Sequence, residues 1–299
     1  MDSKVLVTGA TGFLGKRLVK KLRGMNLNVV AADLQATDEI VSLDVRDKES
    51  VNAVLESSMP EVVVHLAAIN DNNPNFDRPY DLYVNNIQGT LNICEAATRF
   101  GVRRIVFPSS TSIYGNVQGE DLPISEMTRT QPLTPYATSK VCEEMLVRDY
   151  VRRTNTKALM FRFSIIYGPE QKHANVIEQF MRKAISGDPI ELLGDGSHTR
   201  EFLYVDDAID ALAVGTNAPS LPYDTYLIST GNPIKLTQLA EKISKLIDPH
   251  APILNIQSKG PIFSQYYDVS RAMTNLNWKP RVPLDDGLSL MLEWLRGPN

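Results

Sequence analysis

Tyr136 and Lys140 lie four residues apart in Thr134-Pro135-Tyr136-Ala137-Thr138-Ser139-Lys140, so on a helix their side chains share one face. Thr134 suits the N-cap and Pro135 the first helical position, which places Tyr136 in the first turn. A free tyrosine, with a pKa of about 10, is a poor base near neutrality. A neighbouring ammonium, a positive helix end and a nicotinamide would favour the phenolate and bring it into working range. Lys140 could also hold a nicotinamide ribose. Upstream, Ser109-Ser110-Thr111-Ser112-Ile113-Tyr114-Gly115 offers a serine hydroxyl that would orient a substrate oxygen opposite the tyrosine. The chemistry of such a set is hydride exchange between a carbinol and a nicotinamide. The pair alone carries little weight, because 11 tyrosines and 14 lysines in 299 residues give about half of one such pair by chance.

The start of the chain supplies the missing context. Thr8-Gly9-Ala10-Thr11-Gly12-Phe13-Leu14-Gly15 joins a strand pattern to a helix pattern, with the spacing Gly9-x-x-Gly12-x-x-Gly15. Gly9 allows a tight turn, Gly12 lets backbone approach a pyrophosphate, and Gly15 lets the helix pack closely on the sheet. The helix N-terminus then offers unpaired N–H groups to phosphate. A ligand-free glycine turn is the alternative, and the position between first strand and first helix weighs against it. Asp33 ends the second strand, where a carboxylate accepts hydrogen bonds from the adenosine ribose. It would repel a 2′-phosphate, and Leu34-Gln35-Ala36-Thr37 offers no cation to hold one, so NAD is expected over NADP. Asp44-Val45 lies one strand later. Its carboxylate would meet the adenine amino group, or equally be a solvated strand-end aspartate.

These residues need a scaffold, and the chain provides its pattern. Buried-strand runs at 4–8, 28–32, 62–66, 104–107 and 158–163 alternate with helical patterns at roughly 13–24, 48–57, 80–100 and 135–153. Such alternation predicts an α/β fold, a Rossmann-type doubly wound parallel sheet with helices on both faces. After Tyr167-Gly168-Pro169 loops lengthen, and helices are expected near 174–186, 205–217, 237–247 and 284–296. We therefore expect residues 1–169 to form a NAD-binding domain, to which 203–230 return. Residues 170–299 should mainly form a smaller mixed α/β substrate domain.

Bulk properties exclude several classes. Composition is 43% hydrophobic and 22% charged, ordinary for a globular chain. A net charge of −4 gives no electrostatic reason to bind nucleic acid or an anionic membrane. No apolar run approaches the ~20 residues of a membrane span, and no signal peptide is expected. Two cysteines, Cys94 and Cys142, and four scattered histidines point to a reduced, cytoplasmic protein without a metal centre.

With those residues assembled, the chain resembles the extended short-chain dehydrogenase/reductase, or NAD-dependent epimerase/dehydratase, family. Within it the likeness is to nucleotide-sugar epimerases of the UDP-glucose 4-epimerase type. It rests on the TGATGFLG cradle, His65-Leu66-Ala67-Ala68, Val84-Asn85-Asn86-Ile87-Gln88-Gly89-Thr90, the SSTSIYG and PYATSK segments, and Arg162-Phe163-Ser164-Ile165-Ile166-Tyr167-Gly168-Pro169. It continues through the segment from Gly194 to Asp207 and the tail from Asp268 to Pro280.

The resemblance implies that Ser110, Tyr136 and Lys140 are catalytic. It implies that Gly9, Gly12, Phe13, Leu14, Asp33, Asp44, Val45, Leu66, Ala67, Asn85 and Phe163, with Tyr136 and Lys140, contact NAD. Asn175 and Arg200, with Ser110, would hold a nucleotide sugar, most simply a UDP-sugar. Two copies would pair through the helices at 80–100 and 135–153. Family dehydratases and decarboxylases carry acids just after the catalytic Ser/Thr, and Thr111 and Ser112 argue against both reactions here. A 4-epimerase is the expected activity. Where epimerases usually place an Arg and an Asp near the end of the second domain, this chain has Ser258 and Pro261, with Lys259 beside them as a point charge. That departure keeps a NAD-dependent dehydrogenase or ketoreductase of a nucleotide sugar, or of another small alcohol, as the alternative. The polar stretch Asn70-Asp71-Asn72-Asn73-Pro74-Asn75 would face the sugar or be a solvated loop.

Overall fold

Branched apolar runs form the centre of the molecule, as continuous hydrophobic strands do when both sheet faces are covered. The computed structural model describes residues 4–73, 77–117, 119–171, 175–218, 224–257 and 262–297. Ser258, Lys259, Pro261, Pro74 and Asn75 lie outside the described residues. In chain order, β1 (Lys4–Thr8), α1 (Phe13–Gly24), β2 (Asn28–Asp33), β3 (Val41–Ser42), α2 (Lys48–Ser58) and β4 (Val62–His65) come first. After α3 (Pro79–Tyr83) and α4 (Gly89–Arg99) come β5 (Arg104–Ser110), α5 (Pro135–Arg153) and β6 (Lys157–Phe163).

These strands join β11 (Thr225–Ile228) in one seven-stranded sheet of order β11-β6-β5-β4-β1-β2-β3, every pair parallel. Alternate residues serve opposite layers. Val5, Val7, Val62, Val64 and Val106 share a core with Leu18 of α1, while Leu6, Val63, Ile105 and Phe107 share one with Val51 of α2 and Ile93 of α4. This is the period-2 consequence of a pleated strand covered on both sides. Neighbours β1 and β4 run on to opposite sides of the sheet order, so their carboxyl ends open a crevice, the usual ligand position in such folds.

One long expected helix is divided. Residues 80–100 form α3, a wider π turn at Val84–Gln88, and α4. The wide turn carries Asn86 inward, where its amide donates to the Ile69 carbonyl (3.0 Å) and accepts from the Ile69 N–H (2.8 Å). Single π turns of this kind recur near functional sites.

The rest of the chain adds a smaller layer. β7 (Ile165–Tyr167) pairs in parallel with β10 (Phe202–Tyr204), and β8 (Ile190–Leu193) with β13 (Ile253–Ile256). β9 (Thr199–Arg200) pairs antiparallel with β12 (Ile234–Lys235). Helices α6 (Val176–Ser186), α8 (Leu236–Ile247) and α10 (Leu284–Arg296) pack on one another, α7 (Val205–Asn217) packs against α1, and α9 (Ser270–Leu276) packs against β11. Asp207 of α7 fixes the tail by accepting from the N–H groups of Arg281 (2.8 Å) and Val282 (3.1 Å).

Candidate active site

The glycine cradle fills the crevice end of β1. Gly9 has φ +67°, and a Cβ there would lie 2.7 Å from the Ala67 nitrogen. A Cβ on Gly15 would lie 2.0 Å from the Gly9 carbonyl oxygen, so only glycine lets α1 start this close to the turn. Gly12 is the N-cap of α1; it brings no capping side chain, and the first turn holds no acid. The N–H groups and positive dipole end of α1 therefore remain available to an anion. Asp33 at the end of β2 reaches back to the same loop. Its carboxylate accepts from the Thr11 N–H (2.9 Å) and hydroxyl (2.7 Å). Cradle, free helix end and acceptor at the second strand together fit a dinucleotide.

The other expected cofactor contacts fall into two groups. Leu66 and Ala67 back directly on the cradle: the Leu66 N–H donates to the Thr8 carbonyl (3.2 Å) and the Ala67 N–H to the Thr8 hydroxyl (3.2 Å). Phe13 and Leu14 open α1 half-buried, with the Arg17 guanidinium 5.0 Å from the Phe13 ring centroid. Phe163 is buried at the end of β6, in register with Ser110 of β5. Asn85 lies in the π turn, its amide donating to Asn86 (2.9 Å). The second group is less free. Val45 is buried against Gly89, and the Asp44 carboxylate is paired with the Arg46 guanidinium at 2.6 Å. Asp44 thus has a partner of its own, which neither sequence reading foresaw.

The three chemical residues meet at the carboxyl end of β5. Ser110 ends that strand; its hydroxyl accepts from the Ser112 N–H (3.1 Å) and lies near enough to the Tyr136 phenol to act on its proton affinity. Thr134 caps α5 through the Ala137 N–H (3.1 Å), so Tyr136 does begin the helix. The Thr134 hydroxyl also donates to Asn72 (2.6 Å), which ties the asparagine-rich loop to this cap. Lys140 lies one turn on, its ammonium 5.8 Å from the Tyr136 ring centroid and 4.6 Å from that of Phe107.

Electrostatics differ from the simple expectation. The ammonium is 3.3 Å from the carboxylate of Glu143, and both side chains are buried. In the chain by itself the Tyr136 phenol is pushed upward, first by burial and then by the Glu143 charge, with the Ser110 hydrogen bond opposing. Lys140 is already balanced by an anion, so it does not pull the phenol down. Glu143 is the functional candidate that sequence reasoning missed. Its signal was available, since Glu143 follows Lys140 by three residues and shares its helix face. Around the set, His65 is neutral, pushed down to about 3 by burial and then by the Lys140 charge.

The expected substrate residues come from the later elements, α6 and β9. Asn175 is the N-cap of α6, its oxygen accepting from the Glu178 N–H (3.2 Å) and its amide donating to the Ile166 carbonyl (3.3 Å). Arg200 donates to the carbonyls of Thr199 (2.9 Å) and Phe263, and stacks 5.1 Å from the Phe263 ring centroid. Both side chains are already engaged with the protein. The positions after Ser110 hold hydroxyls, not acids: Thr111 pairs with the Tyr267 hydroxyl at 3.0 Å. Beneath the site, the Arg162 guanidinium makes a two-pronged contact with Glu144 (2.9 and 2.7 Å) and also donates to the Tyr114 hydroxyl (2.7 Å).

Residues 5–228 match the model of a family described as the NAD dependent epimerase/dehydratase family. The chain is 31% identical to the UDP-glucose 4-epimerase of Mycolicibacterium smegmatis, with 98% of each chain covered. Among solved structures it is similar to UDP-glucose 4-epimerase from Thermotoga maritima with UDP-glucose (TM-score 0.89, 26% identity, 98% of both chains covered). It is also similar to MoeE5 in complex with UDP-glucuronic acid and NAD (TM-score 0.88, 29% identity, covering 98% of this chain and 99% of that one).

Proposed function

The chain belongs to the NAD dependent epimerase/dehydratase family, and from that membership we propose that it is a UDP-hexose 4-epimerase with Tyr136 as its base. The observation that carries this reading is the Tyr136 phenol set against Ser110 with Lys140 beside it, and hydroxyls at Thr111 and Ser112 where an elimination would need an acid. The NAD dependence of the family and the NAD and UDP-sugars named for similar structures support cofactor and substrate class. When bound, the nicotinamide takes up and returns hydride.

This chain's residues do the remainder. The first turn of α1 receives the pyrophosphate, and Asp33 with Thr11 receives the adenosine ribose. Ser110 orients the C4 oxygen of the sugar. Tyr136 removes the C4 hydroxyl proton and gives it back once the 4-keto sugar has presented its other face. No net redox change results. Arg200, released from one of its carbonyls, would offer a planar fork to the sugar diphosphate.

NMR of reaction mixtures tests the reading. With no cofactor added, purified protein should convert UDP-glucose, UDP-N-acetylglucosamine or UDP-glucuronate into its 4-epimer. Turnover only on added NAD, with an oxidised product accumulating, would replace it with the dehydrogenase alternative. A separate expectation concerns the cofactor. Asp33→Ala removes a charged acceptor, and hydrogen bonds to charged groups contribute about 1.5–3 kcal/mol. NAD affinity should therefore fall by about 10- to 100-fold, read by calorimetry. An unchanged affinity would show that Asp33 serves only to brace Thr11.

A further inference from the structure

Glu143 is fully buried, yet its carboxylate is surrounded by protein donors. The hydroxyl of Thr90 in α4 lies 3.0 Å from one oxygen and the Lys140 ammonium 3.3 Å from the same oxygen. The Ser139 hydroxyl lies 3.1 Å from the other. Ser139 accepts in turn from the Asn86 amide (3.0 Å), which is fixed to the backbone of Ile69. The carboxylate is thus held by α5, α4 and the loop after β4 together, and it holds the ammonium.

Buried carboxylates are costly unless they act on a partner. A structural role is already filled on the adjoining face of α5, where Glu144 binds Arg162. Among the described residues Lys140 is the cation paired with Glu143; burial raises the Glu143 carboxyl and Lys140, Thr90 and Ser139 oppose that rise, so its ionised form bears on Lys140 and on Tyr136. Among the described residues, two further titratable groups near the Glu143–Lys140 pair are uncharged in the working range. Burial, and secondarily Glu143 itself, pushes the Cys94 thiol of α4 up to about 12, and His65 of β4 is neutral.

We propose that Glu143 is a positioning residue that fixes the Lys140 ammonium and balances its charge at Tyr136. It thereby sets the acid limb of the pH–rate profile. The role rests on Tyr136 being the base. A negative charge near the phenol disfavours phenolate, so removing that charge lets Tyr136 deprotonate at lower pH.

The test is the pH dependence of kcat/KM for Glu143→Gln, which keeps size and hydrogen bonding but not charge. Its acid limb should move to lower pH by about one unit or more, the scale of a neighbouring-charge effect. Glu143→Asp, which keeps the charge, should hold the limb near its parent position. An unmoved limb in Glu143→Gln, with only thermal stability lowered, overturns the proposal. Should that variant not fold or turn over, Thr90→Val decides the matter. It removes a donor that stabilises the ionised form, so the Glu143 carboxyl takes up its proton at higher pH and its charge is lost over part of the limb, which should shift the same way by a smaller step; an unmoved limb there is equally fatal. Tyr136→Phe is run alongside. Retained activity in it removes the base assignment itself, whereas its inactivity with an unmoved Glu143→Gln limb removes only the role of Glu143.

Discussion

Tyr136→Phe should lower turnover by about 10²- to 10⁴-fold, the usual contribution of a positioned general base. The change deletes one oxygen from a ring that is 8% exposed and starts a capped helix, so folding and helix register should persist. What is lost is the phenol oxygen beside Ser110. No phenol oxygen then stands beside Ser110 to take the proton of a substrate hydroxyl. NAD binding should stay close to the parent value, because cradle and Asp33 are untouched. Circular dichroism, NAD calorimetry and the NMR assay separate these outcomes. Turnover near the parent value would remove Tyr136 as the base; lost NAD binding would instead give the ring a role in cofactor seating.

The second large effect is on stability. Glu144→Ala should destabilise the protein by about 3–5 kcal/mol, the cost of breaking a buried ion pair by removing one partner. Both side chains are at most 5% exposed, and among the described residues the Arg162 guanidinium would keep its charge with the Tyr114 hydroxyl and the Glu126 carbonyl left to it. At about 2–4 °C per kcal/mol this lowers the thermal midpoint by ~6–20 °C.

The pair also gives an acid dependence. Burial would raise the Glu144 pKa, but the hydrogen bonds and charge of Arg162 win, and the carboxyl is held below its ordinary value. A group depressed in the folded state stabilises it at pH above the usual carboxylate range, and that stability is lost as pH falls through the folded value. The stability gap between parent and variant should therefore narrow in acid. A midpoint unchanged by Glu144→Ala would mean that Arg162 finds other acceptors.

Much of the scaffold was legible because its determinants are local. Val62-Val63-Val64-His65 is apolar on both faces, so it must be a covered strand, and it became β4 at the centre of the sheet. Pro135 after Thr134 set the start of α5, and α7 began and ended where its pattern did. The helix expected over 80–100 was right in extent but not in continuity. A π turn adds one residue to a turn without altering hydrophobic periodicity by enough to be read.

The site was legible in part for the same reason. Gly9, Gly12 and Gly15 follow from a turn and a close approach, and Tyr136 and Lys140 from helical spacing. Asn175 and Arg200 came from resemblance alone; here one caps a helix and the other binds backbone carbonyls.

The amino-acid sequence by itself determined which segments are strands and helices, where the tight glycine turn before α1 lies, and that a tyrosine and a lysine share a helix face. Those properties depend on neighbours a few residues away, so spacing encodes them. Only the tertiary structure decided that Ser110 meets Tyr136, that Asp33 returns to Thr11, and that Glu143, braced by Thr90 of another helix, neutralises Lys140. Proton affinities in the site follow from burial and from charges brought together across the fold. A phenol that looks activated by its neighbouring lysine in sequence is pushed upward in the folded chain by itself, because packing removes its water and sets a carboxylate beside its cation.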